Sequence, residues 1–342
     1  MSEARATLKD VARRANVAVS TVSRVLNGRP GVGTAVRERV LQTIDDMQFR
    51  PNTIARGLRI QRSDTIAIVT DDLEGIFTNA MMRGVEEVAW EAGVGVLLCN
   101  TYGDAERERA QLARLLDKQV DALIFMSGNR VGRRAEPAVP IPDGVPMVYL
   151  YEYGDPSVAS VLPDDQGGAE AAVAHLVETG ARRIALLNGP SEWEATQDRL
   201  HGYERSLASA GLPLSDELVV PSASWDPEDA FAAMGMLLAA SPPIDAVFCA
   251  SDDLATGAVH AIREAGLRVP EDVQVVGFDD RSLAVHQRPA LTTVALPLLE
   301  MGRCAGRLVL DGINGEAPVP GIRRIPCELR VRASTRPKAV GP

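Results

Sequence analysis

Residues 18–27 read Ala18-Val19-Ser20-Thr21-Val22-Ser23-Arg24-Val25-Leu26-Asn27. Val22, Val25 and Leu26 recur at the three- and four-residue steps of one helical face, while Ser20, Thr21, Ser23 and Arg24 fill the other. Upstream, Thr7-Leu8-Lys9-Asp10 has the spacing of a capping box, in which a hydroxyl and a carboxylate satisfy free amides at a helix start. Leu8, Val11, Ala12 and Ala15 then form a short apolar face, which Asn16-Val17-Ala18 ends. Downstream, Asn27-Gly28-Arg29-Pro30-Gly31 breaks the second helix, and a third runs from about Thr34 with Val36, Val40, Ile44 and Met47 inward. Two short helices joined by a tight turn and braced by a third make a helix-turn-helix unit. Hydroxyls and a guanidinium on the outward face of its second helix are groups that read base edges in a major groove.

Charge divides the chain at the same place. The 342 residues carry a net charge of −10, which taken whole argues against a nucleic-acid partner. Residues 1–62, however, hold 12 Lys+Arg against 5 Asp+Glu, and the remaining 280 hold 24 against 41. A basic head on an acidic body confines the phosphate-attracting field to one module. Between them lies Arg50-Pro51-Asn52-Thr53-Ile54-Ala55-Arg56-Gly57-Leu58-Arg59, with three arginines, a helix-weakening Gly57 and almost no core of its own. Such a segment is expected to fold only against a partner.

From Asp64 onward, apolar runs alternate with helical periods of ten or more residues. Thr65–Thr70, Val94–Cys99, Val120–Met126 and Val145–Leu150 read as buried strands of a first unit; Arg183–Asn188, Leu218–Val220, Asp245–Ala250 and Val273–Phe278 read as those of a second. The intervening helices include Gly168–Glu178 and Leu254–Ala265. This alternation predicts doubly wound parallel sheets.

The chain resembles the lactose-repressor-type (LacI/GalR) family of bacterial transcription regulators. The likeness rests on Thr7-Leu8-Lys9-Asp10-Val11-Ala12, Thr21-Val22-Ser23-Arg24-Val25-Leu26-Asn27 and Arg50-Pro51-Asn52 before Ala55-Arg56-Gly57-Leu58. In the body it rests on Asp164-Asp165-x-x-Gly168, Arg199-Leu200-His201-Gly202-Tyr203, Val276-Gly277-Phe278-Asp279-Asp280 and Arg332-Ala333-Ser334-Thr335. It spans about residues 7–336.

The resemblance implies a helix-turn-helix head (1–50), a hinge helix and linker (51–62), and a two-lobed body of the periplasmic-binding-protein type (63–342). Lobe 1 is expected at about 63–162 and 291–322, and lobe 2 at about 163–290 and 323–342. Val19, Ser20 and Arg24 are the expected base readers. Thr7, Thr21, Ser23, Asn27 and Arg37 fit phosphate positioning, with helix capping the other reading for Ser23 and Asn27. Asn52, Ala55 and Arg56 belong to the hinge, from which Leu58 is expected to wedge a base step in the minor groove. Ala18 and Gly33 stand where the family carries serine caps, so Ser20 and Thr34 are expected to take over with slightly shifted helix starts. An effector is expected between the lobes, at Asp72, Phe77, Arg199, Trp225, Ser251 and Asp279. A cation and a carboxylate can hold vicinal hydroxyls, and an aromatic can cover a sugar face, so a carbohydrate is expected ahead of a purine-like corepressor.

The implied protein is a ligand-responsive repressor, cytoplasmic, homodimeric and bound to a pseudo-palindromic operator. It is expected to have no cofactor, metal or membrane partner. The C-terminal stretch offers no leucine heptads for a tetramer. A periplasmic solute-binding protein shares the body fold, but the basic head and the lack of a signal-peptide apolar region at the N-terminus speak against it. An enzyme is the third class. His175, His201, His260 and His286 have no metal-ligand spacing, and there is no G-x-S-x-G or phosphate loop. The pairs Asp164-Asp165, Asp252-Asp253 and Asp279-Asp280 could suit acid–base work but fall at positions the family uses otherwise. Cys99, Cys249, Cys304 and Cys327 lack C-x-x-C spacing and read as free thiols.

Overall fold

The computed structural model describes residues 6–26, 28–49, 62–128, 131, 136–240 and 243–337. Asn27, Asn52, Ala55, Arg56 and Leu58, all expected at the DNA, lie outside the described residues, as does residue 50–61 as a whole. The chain forms two compact units, residues 1–64 and 65–342.

The first unit contains α1 (Leu8–Ala15), α2 (Val19–Leu26) and α3 (Thr34–Asp46). Thr7 and Asp10 complete the capping box at the start of α1, and Asn16 ends that helix in the left-handed conformation. Val11, Ala12, Ala15, Val22, Val25, Val40 and Phe49 are buried together as the core of the three helices. Leu8, expected on the inner face of α1, is instead exposed and takes no part in that core. The expected helix-start shifts do not occur. The Ala18 carbonyl takes the Val22 N–H at 3.2 Å, and Gly33 precedes α3 with no side-chain cap.

The second unit holds two six-stranded sheets. The first lobe runs β1 (Thr65–Thr70), α4 (Thr78–Glu91), β2 (Gly95–Asn100), α5 (Ala105–Asp117), β3 (Ala122–Met126), β4 (Met147–Leu150) and β5 (Ala159–Pro163). The second begins α6 (Asp165–Glu178), β6 (Ile184–Asn188), α7 (Glu194–Ser209), β7 (Val219–Pro221), α8 (Pro227–Ala240) and β8 (Ala246–Cys249). It continues with α9 (Asp252–Glu264), β9 (Gln274–Asp279), the short α10 (Ser282–His286) and β10 (Thr292–Ala295). The chain then forms α11 (Leu298–Ile313), β11 (Gly321–Ile325) and β12 (Glu328–Arg330).

Strand order is β11-β5-β4-β3-β1-β2 in one sheet and β12-β10-β9-β8-β6-β7 in the other. All pairings are parallel except β10 with β12. Both lobes therefore place their first strand between their second and third. Where the order reverses, at β1/β3 and β6/β8, the loops leaving the strand ends diverge and open a crevice. At the junction of α4 and α11 two glycines let the helices touch, since a Cβ at Gly84 would lie 2.2 Å from the Leu299 carbonyl and one at Gly302 2.0 Å from that of Met81.

Three expectations are corrected by the strands and caps. β10 pairs with β9 in the second sheet, so the return to lobe 1 follows residue 295 rather than preceding 291; β11 stays in the first sheet, so the last crossing follows residue 325 rather than 322. Thr292 and Thr293 hide this strand from a hydropathy reading. Both are fully buried, with hydrogen bonds joining Thr292 to Ser334 and Thr293 to Asp252. Helices α6 and α9 start at Asp165 and Asp252, three and two residues before the expected Gly168 and Leu254, because Asp164 and Ser251 cap them. Finally, the apolar run of β2 is not buried: it is an edge strand with Leu97 and Leu98 exposed.

Candidate ligand cleft and nucleic-acid interface

Helix α2 presents the candidate base readers as one surface. Val19, Ser20 and Arg24 are exposed, Thr21 and Ser23 are half-buried beside them, and Val22 and Val25 anchor the opposite side. The Thr7 hydroxyl is occupied, donating to Asp10 Oδ2 at 2.6 Å. That bond holds the Asp10 carboxyl below its ordinary pKa. Arg37 is half-buried and donates from Nη2 to the Arg29 carbonyl at 3.1 Å, so it braces the loop after α2.

In the second unit the reversal points of both sheets face a cavity of about 390 Å³ between the lobes. Lobe 1 contributes Thr70, Asp71 and Asp72 after β1, Phe77 at the start of α4, Met126 to Gly128 after β3, and Tyr151 after β4. Lobe 2 contributes Asp165, Trp193, Arg199, Trp225, Ser251, Asp253 and Asp279. All six candidate effector residues thus stand in one wall lining. The Ser251 hydroxyl accepts the Leu254 N–H at 3.1 Å and so serves the helix cap as well. Asp72 is similarly engaged, its Oδ1 accepting the Glu74 N–H at 2.9 Å. Phe77 meets Tyr151 edge-on, with centroids 5.7 Å apart.

The electrostatic centre is Arg199, 2% exposed. Its Nε and Nη2 reach Asp165 Oδ1 at 2.8 and 2.7 Å, its Nη1 donates to the Ala250 carbonyl, and the guanidinium lies over the Phe278 ring at 3.8 Å. Asp279 is farther, 3.5 Å from Nη2, and its buried Oδ1 has no hydrogen-bond partner among the described residues. Burial raises the pKa of both carboxyls. Arg199 opposes this at each, and Asp279, with Asp252, Asp165 and Asp253 adding repulsion, is lifted well above the ordinary range. For Arg199 burial works against the charge, but Asp165 and Asp279 outweigh it and raise its pKa further. The backbone at Asp279 has φ 103°, a strained value for a residue with a side chain, which fixes the carboxylate at the strand end.

The remaining paired carboxylates have structural partners. Asp164 caps α6 through the Gly167 N–H at 3.1 Å, Asp253 pairs with Arg281, and Asp280 meets Arg332 at 2.6 Å. Asp252, fully buried, accepts from Thr293 Oγ1 at 2.5 Å and the Arg281 N–H at 2.7 Å. Its pKa is pushed up to about 7, chiefly by burial. The four cysteines are free thiols.

Asp165, Tyr151 and Trp193 were not singled out as ligand-site residues by sequence. Asp165 was visible only within its motif, because partnership with Arg199 spans 34 positions. Trp193, in Ser191-Glu192-Trp193, carried the one available signal: an aromatic in a polar loop a few residues before Arg199.

Residues 7–52 match the family described as bacterial regulatory proteins, lacI family, and residues 173–335 match the periplasmic binding protein-like domain. Catabolite control protein A of Priestia megaterium is 34% identical over 331 residues, covering 96% of this chain and 99% of that protein. The HTH-type transcriptional regulator CelR of Thermobifida fusca is 37% identical, covering 96% and 98%. Among solved structures, a CelR–cellobiose complex superposes with a TM-score of 0.67 at 34% identity, covering 96% of this chain and 100% of that one. A lac repressor dimer bound to operator and the anti-inducer ONPF gives 0.79 at 27% identity, covering 97% and 99%.

Proposed function

The chain belongs to the LacI family of bacterial regulatory proteins, and we propose that it is a homodimeric repressor whose grip on a pseudo-palindromic operator is set by a carbohydrate held between the lobes. The observation that carries the ligand reading is the cleft itself. A buried carboxylate oxygen of Asp279 without a hydrogen-bond partner among the described residues lies beside a charged guanidinium, in a cavity walled by Phe77, Tyr151, Trp193 and Trp225. Hydroxyl donors satisfy the oxygen, and aromatic faces cover the C–H surface of a sugar ring.

The DNA reading is supported by the exposed polar face of α2 on a basic head. Two such heads are presented by a dimer to the two half-sites of an inverted repeat. Trp90 at the end of α4, 78% exposed, and Leu97 and Leu98 on the β2 edge supply apolar surface for a second chain. The carboxylate pairs act in structure and ligand holding rather than catalysis, and the protein works in the cytoplasm; no helix among the described residues is long and apolar enough to cross a membrane. The test is to select operators from random duplexes and then titrate mono- and disaccharides against the complex. An inverted repeat whose binding responds to a sugar is expected; a selection yielding no inverted repeat contradicts the DNA part, and insensitivity to every sugar contradicts the ligand part.

A further inference from the structure

Two of the crossings between the lobes start side by side, because β5 and β11 pair in parallel and end at Pro163 and Ile325. Arg324 stands at this point, one residue before the end of β11. Its guanidinium donates from Nη1 to the Pro163 carbonyl at 3.2 Å and, on the other lobe, to Asp198 Oδ2 at 3.1 Å. From Nη2 it donates to the Tyr153 hydroxyl at 2.8 Å, and that hydroxyl donates to the same Asp198 oxygen at 3.0 Å. Side chains from β11, the loop after β4 and α7 thus close a triangle in which every edge is a hydrogen bond.

Each corner is firmly mounted. Arg324 lies opposite Leu162 in the first sheet. Tyr153 is followed by Gly154, which sits on the buried Tyr149 ring, where a Cβ would lie 1.9 Å from Cδ2. Asp198 belongs to α7, which Gly202 seats against α6, a Cβ there falling 2.4 Å from the Gln166 carbonyl. The Asp198 and Arg324 side chains are 17% and 35% exposed, so water competes only partly for these bonds. Burial, with the Asp198 carboxylate beside it, raises the Tyr153 pKa, and the hydroxyl keeps the proton it donates. Asp198 directly precedes Arg199, so lobe 1 grips α7 next to the anchor of the cleft.

We propose that the Tyr153–Asp198–Arg324 triangle is an interlobe latch, which holds the two lobes at their present spacing before any effector binds. With the latch formed, an effector meets a cleft whose walls already stand in place. With it broken, the lobes swing about the crossing strands, and binding must also bring them together. Such a latch acts on lobe spacing, whichever ligand the cleft takes.

A separate contact across the cleft reports that spacing without any ligand. The Val131 N–H of lobe 1 donates to the Glu192 carbonyl of lobe 2 at 2.8 Å, whereas the Leu123 and Ala250 N–H groups bond within lobes 1 and 2. Residue-resolved amide hydrogen exchange of the effector-free full chain therefore reads lobe opening at Val131 and the stability of each lobe at the other two. Protection of Val131 is expected in the wild type. Asp198→Ala keeps a strong helix former in α7. It is expected to speed exchange at Val131 about tenfold, the effect of losing partly exposed, charged hydrogen bonds, and to leave Leu123 and Ala250 unchanged. Tyr153→Phe removes only the hydroxyl and is expected to act in the same direction, which keeps the test open should Asp198→Ala fold poorly. Because one latch is broken only once, Asp198→Ala combined with Arg324→Ala should exchange no faster than the faster single variant. An unprotected Val131 in the wild type overturns the inference. So does unchanged exchange in Asp198→Ala or, where that variant does not fold, in Tyr153→Phe. Equal acceleration at all three amides, the mark of a purely structural role, also overturns it, as does a double variant whose effect is the product of the two single ones.

Discussion

Arg199 bonds Asp165 at 2.7 Å but stops 3.5 Å from Asp279. One guanidinium is thus committed to one carboxylate and merely faces the other, leaving Asp279 Oδ1 buried and without a hydrogen-bond partner among the described residues. Leaving such an oxygen unsatisfied is costly, and a ligand hydroxyl removes the cost. Asp279→Ala is expected to abolish the thermal shift produced by the effector while leaving effector-free operator binding within about threefold, since a change under 1 kcal/mol separates the two. A retained thermal shift would place the site elsewhere.

The same carboxylate sets a pH dependence. Burial raises the Asp279 pKa well above the ordinary carboxylate range, and the ionised form accepts ligand hydroxyls at both oxygens and more strongly than the acid does. Effector affinity is therefore expected to fall as pH decreases through that raised value, with protonation competing against the ligand. Affinity in Asp279→Asn should be weaker and flat over the same interval. Calorimetric titrations across the range check this, and a flat profile in the wild type would contradict it.

Asp252 gives a separate stability signature. Burial lifts its folded pKa from the ordinary carboxylate range to about 7, so below that pH the folded state holds a proton there that the unfolded chain has released. The stability this contributes is complete below the unfolded pKa and is lost as pH rises through about 7, at up to about 1.4 kcal/mol per pH unit. Asp252→Asn cannot ionise. Relative to the wild type it is expected to gain stability steadily from pH about 5 to about 7 and to level off above. Denaturant unfolding of both proteins at each pH measures the difference, and a constant difference would show that Asp252 stays ionised throughout.

In the head, Arg24 and Arg37 are expected to play different parts at the DNA. Arg24 is exposed on the face of α2, where a bidentate contact with guanine discriminates by about 1–3 kcal/mol. Arg24→Ala is expected to relax base preference at one position in each half-site. Arg37 braces the Arg29 carbonyl, and Arg37→Ala is expected to weaken all sequences about equally. Binding to a set of single-base operator variants separates these patterns; a position-specific loss in Arg37→Ala would reverse the assignment.

Much of this was legible in the sequence because the signals are local. The capping box at Thr7 and Asp10, the apolar side of α2 and the strand–helix alternation each occupy a few consecutive residues. What escaped depends on pairing at a distance. β10 carries two buried threonines whose partners lie about forty positions away, so its run looks too polar for an interior strand. Leu97 and Leu98 look like core residues because nothing in Val94-Gly95-Val96-Leu97-Leu98-Cys99 marks a sheet edge. Trp193 lies against Gly128, a residue of the other lobe to which no local pattern ties it.

The central claim is that cleft and operator are two sites on one switch. Coupling of this kind is typically about 1–3 kcal/mol and must be reciprocal. The direct measurement is effector affinity of the full chain with and without saturating operator duplex, set against operator affinity with and without saturating effector. The two ratios are expected to be equal and to differ from one by about 5- to 150-fold. Effector affinity unchanged by operator would contradict it.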